Sequence, residues 1–386
     1  MKEATIDKSH IFIIMFLICL VMSIQSPIFT PYAAGLGASS ILIGIILSVS
    51  SMMNLVGNLL AGPFIDRLGK KMFITCPLFA SGGLFIAHGL ASDSASLLIL
   101  RGLNGFALAF LMPAALALLS GYATSSRQQG KNMAVNGMLF TVASIVAPLI
   151  GGKMVVLIGY VNTYFFIGSA MILTGMYAIS FLRERHIIVR NRNQKQMNMM
   201  SVLTTPNLLI VYLSGFAVMY IHGVLIYEIP YLTVEKGLST FTTGQLFSYM
   251  SLGTLIVLSL FFINRFNPFK RMMVGLFGMS MSIYAMFSLS LPLPVLLFLI
   301  GLCFGLMMPA LATAVTESVS KDIYGRAFGM MSAVYSLGVI ISTFLTGVIR
   351  DVVSPYFIAF LIGMIILIII GYIQLQLSQT TQNNLQ

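Results

Sequence analysis

Two ionisable side chains interrupt long apolar runs: Arg101 in "LLILRGLNGFALA" and Glu228 in "VLIYEIPYL". An ionisable group within an apolar helix costs several kcal/mol, about 2.5–3.5 on insertion scales, unless it is paired or hydrated, so each marks a candidate site. Arg101 keeps its charge under ordinary conditions, which leaves it two roles: biasing a nearby carboxylate or binding an anionic group. For Glu228, burial raises the carboxyl pKa and a neighbouring cation lowers it, so a balance near ambient pH would let it take up and release a proton. Two competing readings stay open: Arg101 snorkelling to headgroups, and Glu228 as a hydrated acid at a membrane edge. Arg101, Asn104 and Leu108 recur at helical spacing and share one face. His222 precedes Glu228 by six residues, about 240° around a helix, so the two do not share a face. A lone histidine such as His222 or His88 is more often a hydrogen-bonded structural residue than a proton carrier.

The elements that must position these residues are apolar helices. With 58% apolar residues and a mean hydropathy of +0.97, the 386-residue chain falls outside the soluble range. Twelve segments long enough to span a bilayer are expected, at 10–33, 40–64, 72–91, 96–120, 131–157, 160–182, 207–232, 241–264, 271–290, 293–318, 326–350 and 354–378. They do not alternate as barrel staves would, and the first is too long for a signal peptide. All but four of the 21 Lys and Arg fall on one side of this arrangement; the exceptions are Lys153, Lys236, Arg350 and the intrahelical Arg101. The positive-inside rule puts both termini in the cytoplasm, and the net charge of +11 becomes a topology signal rather than a nucleic-acid patch. Cys19, Cys76 and Cys303 show no pairing or metal-ligand spacing, and no cofactor or metal is expected. Trp is absent, so an aromatic belt would draw on tyrosines near helix ends, such as Tyr32, Tyr122, Tyr160 and Tyr356.

The basic stretch "RERHIIVRNRNQKQMNMMS" divides the segments six and six. The expected division is an N-terminal bundle at 1–182, a cytoplasmic linker at 183–206 and a C-terminal bundle at 207–386. The halves repeat: Gly105 matches Gly301, and Met112-Pro113-Ala114 matches Met308-Pro309-Ala310, at an offset of 196. Six helices per half make this a parallel repeat about an axis along the membrane normal, which suits rocking about a central site.

The connection between segments 2 and 3 reads "GPFIDRLGKK", with Gly62, Asp66, Arg67, Gly69, Lys70 and Lys71. Gly69 permits positive φ in so short a turn, and the acid beside cations could hold a gate in one state. Anchoring by positive charge alone is the simpler reading. This pattern, with twelve segments, the basic linker and the repeat, resembles the major facilitator superfamily along the whole chain. The matching stretch of the second half, "NRFNPFKR", is degraded, with Asn264 where the acid would stand. Segment 4 is similar to the L-x-x-x-R-x-x-Q-G motif of proton-coupled members, with Asn104 in place of Gln. Segment 5, "VASIVAPLIGG", resembles the antiporter motif through Pro148, Gly151 and Gly152, while Ala143 and Ala147 replace glycines. Small residues at this spacing also serve plain helix packing.

The resemblance implies an all-α membrane fold of two pseudo-symmetric six-helix bundles and secondary transport by alternating access. It is closest to twelve-helix bacterial drug:proton antiporters, with protons, membrane lipids and a small-molecule substrate as partners, a monomer in the cell membrane, and no nucleic acid. Arg101 and Glu228 take the proton-coupling roles, and Gln25, Asn104, Met112, His222 and Tyr227 the substrate cavity. The 27 Met and 28 Phe suit a deformable apolar cavity, though ordinary membrane composition accounts for them too. A dedicated carrier of one metabolite, such as a sugar or siderophore, keeps the same fold. An enzyme is not expected: no H-E-x-x-H and no intramembrane acid pair occur, and "RLGKKM" is not a phosphate-binding loop.

Overall fold

The computed structural model describes residues 2–122, 126–183, 206–289, 291–319 and 324–383; at 2–6, 62, 63, 66, 126, 127, 130, 261, 264, 324, 325 and 377–383 the backbone alone is described. Apart from its first and last residues, the expected linker at 183–206 lies outside the described residues. The first unit begins with α1 (Lys2–Ile24), α2 (Phe29–Gly35), α3 (Ser40–Leu68), α4 (Met72–Gly89), α5 (Ser94–Ala109), α6 (Leu111–Ser120) and α7 (Ser126–Phe181). There follow α8 (Pro206–Lys236), α9 (Thr240–Ser259), a 3-10 turn (Phe261–Arg265), α10 (Pro268–Ser288), α11 (Leu293–Ser318), α12 (Tyr324–Ile349) and α13 (Pro355–Asn383).

Ten of the described helices are long and apolar enough to cross a membrane. One of them, Lys131–Phe181, contains 51 residues and turns at Gly159, where φ is 79° and ψ 171°. That region of backbone space is essentially reserved for glycine, so the turn joins segments 5 and 6 with no loop. Pro268–Ser288 has the length for a crossing but carries Lys270, Arg271 and several serines, which make it less apolar. With these two adjustments the helices match the twelve expected segments.

Proline breaks two segments that were expected to be continuous. Pro27 has no N–H and its ring crowds the carbonyl four residues back, so α1 stops at Ile24 and the chain resumes as α2 after a turn in which Ile28 N–H donates to the Gln25 carbonyl at 3.0 Å. Segment 4 is interrupted at Phe110, three residues before Pro113. Pro309, its counterpart in the second half, is accommodated inside an unbroken α11.

The chain forms two compact units, Met1–Arg190 with Ile226–Ser248, and Asn191–Leu225 with Tyr249–Gln386. In the first, α4 and α1 pack on α7, and α3 packs on α5, around a core that includes Ile14, Ile18, Phe85 and Tyr164. In the second, α10 packs on α11 and α13. Buried hydroxyls bond back to the preceding turn, as Ser48 does to the Gly44 carbonyl and Ser214 to the Ile210 carbonyl, so few enter the apolar interior unsatisfied.

The repeat reappears as geometry. At Gly105 a Cβ would overlap the carbonyl of Ser50, and at Gly301 it would overlap the carbonyl of Met250. Asn54 Nδ2 donates to the Gly105 carbonyl at 3.2 Å, and Thr254 Oγ1 donates to the Gly301 carbonyl at 3.0 Å. Ser50 and Asn54 in α3 therefore correspond to Met250 and Thr254 in α9, each 200 positions on.

Two tyrosines expected in an interfacial belt turn inward instead. Tyr32 is buried and donates its hydroxyl to the His88 carbonyl at 2.6 Å, and Tyr122 is buried and donates to the Arg183 carbonyl at 2.6 Å. Each phenol finds a backbone acceptor at a helix end, which satisfies it without water.

Because backbone blocks any side chain at both glycines, Gly105→Val and Gly301→Val are each expected to lower the melting temperature in detergent, at a cost of about 1–3 kcal/mol or more. Gly83→Val, where nothing lies within 4 Å of the added carbon, should change it little. Equal melting of all three would remove the close approach as a source of stability.

Candidate functional site

Arg101 is placed by the start of α5. Asp93 caps that helix, accepting from Ser96 N–H at 2.7 Å and from the Ser96 hydroxyl at 2.9 Å. These bonds from Ser96 hold the Asp93 carboxyl below the usual carboxylate range. The cap is therefore intact at neutral pH and is lost only as acid takes the pH down through that lowered value.

Two turns on, Arg101 Nη1 donates to Gln25 Oε1, and its guanidinium carbon lies 4.3 Å from the centre of the Phe29 ring. Both partners come from the break that Pro27 makes: Gln25 occupies the broken turn and Phe29 begins α2. Arg101 Nε is buried with no hydrogen-bond partner, and so are both side-chain atoms of Asn104, which is 1% exposed. Around them His88, Tyr32 and Tyr160, named from the sequence separately, form an aromatic stack with Tyr164, which the sequence did not single out. His88 and Tyr164 are stacked at 5.5 Å, Tyr32 lies 5.0 Å from Tyr164, and Tyr32 is 5.7 Å from Tyr160. His88 Nδ1 is 2.7 Å from the Leu84 carbonyl, while His88 Nε2 and the Tyr164 hydroxyl are buried without partners. Leu84 and His88 four residues apart was the available signal for the first of these; nothing in the spacing marked Tyr164.

Glu228 is 4% exposed. Helix α8 continues to Lys236, past the expected end at 232, so Glu228 lies two turns from the terminus instead of one. Beside it, Tyr227 is fully buried and donates to the Ser40 carbonyl at 2.6 Å. Arg101, Gln25, Asn104, Met112, Tyr227 and Glu228 thus all belong to the first compact unit. His222 does not: it lies in the second unit, stacked on Phe304 at 5.3 Å.

The small residues of segment 5 lie where backbones meet. Ala143 and Ala147 are fully buried. A Cβ at Gly151 would overlap the Ile24 carbonyl, one at Gly152 the Thr240 carbonyl, and one at Gly244 the Pro148 carbonyl. Ser248 donates its hydroxyl to the Ile145 carbonyl at 2.6 Å, and Tyr160 and Thr240 share a hydroxyl contact at 3.2 Å. The start of α9 is thereby held against the first arm of α7 by backbone proximity, with no ionic contact among these groups.

In the turn after α3, Gly69 has φ 98° and donates its N–H to the Ile65 carbonyl, as the sequence led one to expect. Lys71 Nζ donates to the Ile179 carbonyl at 2.7 Å, in the last turn of α7, where a cation complements the helix dipole. Arg67 is exposed and Lys70 partly so, whereas the side chain of Asp66 lies outside the described residues.

Apolar crossing helices in two units with a matching internal geometry, and a buried guanidinium and carboxyl inside one of them, define a multi-pass membrane transporter. The profile of the Major Facilitator Superfamily matches residues 11–343 and again 272–380, and the chain belongs to that family. The chain is similar to Multidrug resistance protein 2 of Bacillus subtilis, 24% identical over 376 residues and covering 92% of each protein. It is also similar to the 4-hydroxybenzoate transporter PcaK of Acinetobacter baylyi, 26% identical over 210 residues, covering 53% of this chain and 43% of that one. Among solved structures, a bacterial homolog to the human lysosomal transporter Spinster, in an inward-facing and unoccupied conformation, superposes with a TM-score of 0.77 at 16% identity, covering 98% of this chain and 97% of the other. Membership in this family makes the chain a transporter of small molecules and not an enzyme.

Gln25→Leu removes the acceptor from a guanidinium that cannot neutralise itself, and should destabilise the protein by about 1.5–3 kcal/mol. Gln25→Glu, which offers an ionised acceptor at the same place, should restore most of that loss. The comparison is made by thermal melting in detergent; an unchanged Gln25→Leu would mean that Arg101 draws its stabilisation elsewhere.

Proposed function

We propose that the protein exports small lipophilic compounds in exchange for protons by alternating access, with Glu228 as the proton site and Arg101 as the fixed cation that sets its surroundings. The observation that carries this reading is the burial of Glu228 at 4% exposure, in the same compact unit as the guanidinium held by Gln25 and Phe29. A carboxyl removed from water binds its proton more tightly, and any movement that hydrates it releases that proton. The similarity to a multidrug resistance protein over nearly the whole chain supports an apolar cargo.

In this reading the proton and a cationic or polarised substrate compete for one state of Glu228. Gln25, Asn104, Met112 and Tyr227 are the cargo residues of the first unit, and His222 is that of the second. The contacts of Gly151, Gly152 and Gly244 form a seal without charges, released when the 226–248 segment leaves α7. The 62–71 stretch, the end of α3 and the turn after it, with Asp66 among its basic residues, acts as the gate on the side that carries most of the Lys and Arg and is read as cytoplasmic. Along the chain the two halves divide at the basic linker, although residues 226–248 of the second half group with the first compact unit, and the protein works as a monomer in the cell membrane.

A second reading has its own support. A permanently charged Arg101 beside an aromatic ring suits a carboxylate attached to an apolar body, and one relative carries the name of a 4-hydroxybenzoate transporter. On that reading the chain is a dedicated carrier of one aromatic or otherwise anionic metabolite, and Arg101 meets the substrate.

Binding measurements separate them. For the exporter, affinity for a lipophilic cation should fall as pH is lowered, by about tenfold per unit below the midpoint of Glu228, since one proton competes with one cation. Glu228→Gln should abolish that pH dependence while binding remains measurable; a slope that persists in the variant would exclude Glu228. Asp66→Asn should slow turnover several-fold at unchanged expression, and undiminished turnover would reduce the 62–71 stretch to an anchor.

A further inference from the structure

A cavity of about 520 Å³ opens along the flank of the first unit where α3, α4 and α5 meet. Leu60, Phe64, Phe73, Cys76, Phe106 and Phe110 make up most of its wall, and no charged, hydroxyl or amide side chain lines it. The phenylalanines form a continuous surface: Phe64 to Phe73 at 6.4 Å, Phe73 to Phe110 at 5.4 Å, and Phe110 to Phe106 edge-on at 5.2 Å. Two further lining residues, Leu68 and Met72, are 55% and 50% exposed, so the groove is open along its side instead of being enclosed.

The polarity of the groove changes abruptly at one end. Leu68 and Met72 bracket the turn that carries Lys70 and Lys71, with Arg67 exposed immediately before it. Lys71 is anchored on the Ile179 carbonyl, which fixes the position of this turn relative to α7. A pocket for a small polar molecule has a few polar groups placed within it to orient the ligand. Here, among the described side chains, the charged groups stand at the mouth and are basic, and the lining of the groove is hydrocarbon and aromatic.

We propose that this groove seats an acyl chain of an anionic phospholipid from the leaflet facing the 67–71 turn, with the lipid phosphate against Arg67 and Lys70. Charge complementarity selects the headgroup, because basic residues near a membrane surface each contribute roughly 1 kcal/mol of attraction to an anionic surface. The aromatic wall gives the chain a rigid apolar face. Occupied in this way, the groove joins α3 to α4 across the turn, so the lipid braces the same segment that the transport cycle would move.

Cys76 lies in the groove and is exposed, whereas Cys19 is buried and Cys303 only partly accessible, so the chain supplies its own reporter. Full-length protein carrying Cys19→Ser and Cys303→Ser is purified in detergent, and alkylation of Cys76 by N-ethylmaleimide is followed by intact mass with phosphatidylglycerol or phosphatidylcholine added to the micelles. Phosphatidylglycerol is expected to slow alkylation at least threefold more than phosphatidylcholine at equal concentration, and the Arg67→Gln, Lys70→Gln double variant should abolish that difference. Native mass spectrometry supplies a second readout: Ala107→Phe, or Ala80→Leu where the first does not fold, should lower the number of phosphatidylglycerol molecules retained. Equal protection by the two lipids, or a difference that survives loss of Arg67 and Lys70, would overturn the proposal. So would protection by tetraphenylphosphonium in the absence of any lipid effect, which would make the groove a path for cargo.

Discussion

A guanidinium inside an apolar bundle cannot shed its charge, so the surrounding chain must supply what water would have. In the first unit that demand is met by a defect in the neighbouring helix. Pro27 prevents α1 from continuing, and the freed turn presents Gln25 as an acceptor and Phe29 as a ring for the same cation. The buried stack of Tyr32, His88 and Tyr164 follows from the same break, because α2 carries Tyr32 inward to bond the His88 carbonyl. The Arg101 Nε and both polar atoms of Asn104 are left without partners, so the region retains unused hydrogen-bonding capacity in an otherwise apolar unit. Such capacity is what a group that arrives and leaves during a cycle would require.

The second constraint is backbone proximity. Helices in lipid gain little from apolar burial against one another and associate through close packing, which favours small residues at the contact. Here the same contact is built twice. Gly105 on the Ser50 carbonyl and Gly301 on the Met250 carbonyl hold α5 to α3 and α11 to α9, each with a side-chain donor on the glycine carbonyl. The two copies are not identical: Asn54 in one is Thr254 in the other, and the segment broken at Phe110 corresponds to an unbroken α11. Divergence has therefore spared the packing while changing the residues around it. The first unit alone holds both the partly buried Arg101 and the buried Glu228.

Much of this was legible in the sequence for a physical reason: a bilayer forces about 20 apolar residues per crossing, and that pattern survives substitution. The twelve segments, the positive φ of Gly69 and the equivalence of Gly105 with Gly301 all follow from local residue types. Other features depend on which face a helix presents, which local types do not specify. Tyr32 and Tyr122 sit near segment ends and so resembled interfacial residues, yet both donate to buried carbonyls. The end of α8 falls four residues beyond the expected 232, because helix ends are the least determined feature of an apolar run. The pairing of Arg101 with Gln25 joins positions 76 residues apart and left no periodic trace, although Pro27 beside Gln25 was a visible sign that the helix would open there.

The central claim is that a proton leaves as a lipophilic compound enters, and proton movement is its most direct measure. Protein reconstituted in liposomes with an acidic lumen and a trapped pH dye is exposed to unrelated lipophilic cations and neutral drugs, one at a time. The account predicts a rise in lumenal pH with several of them, absent from protein-free liposomes. A response confined to a single aromatic carboxylate would contradict the exporter reading in favour of a dedicated carrier, and no response to any compound, with transport of label still measurable, would contradict proton coupling itself.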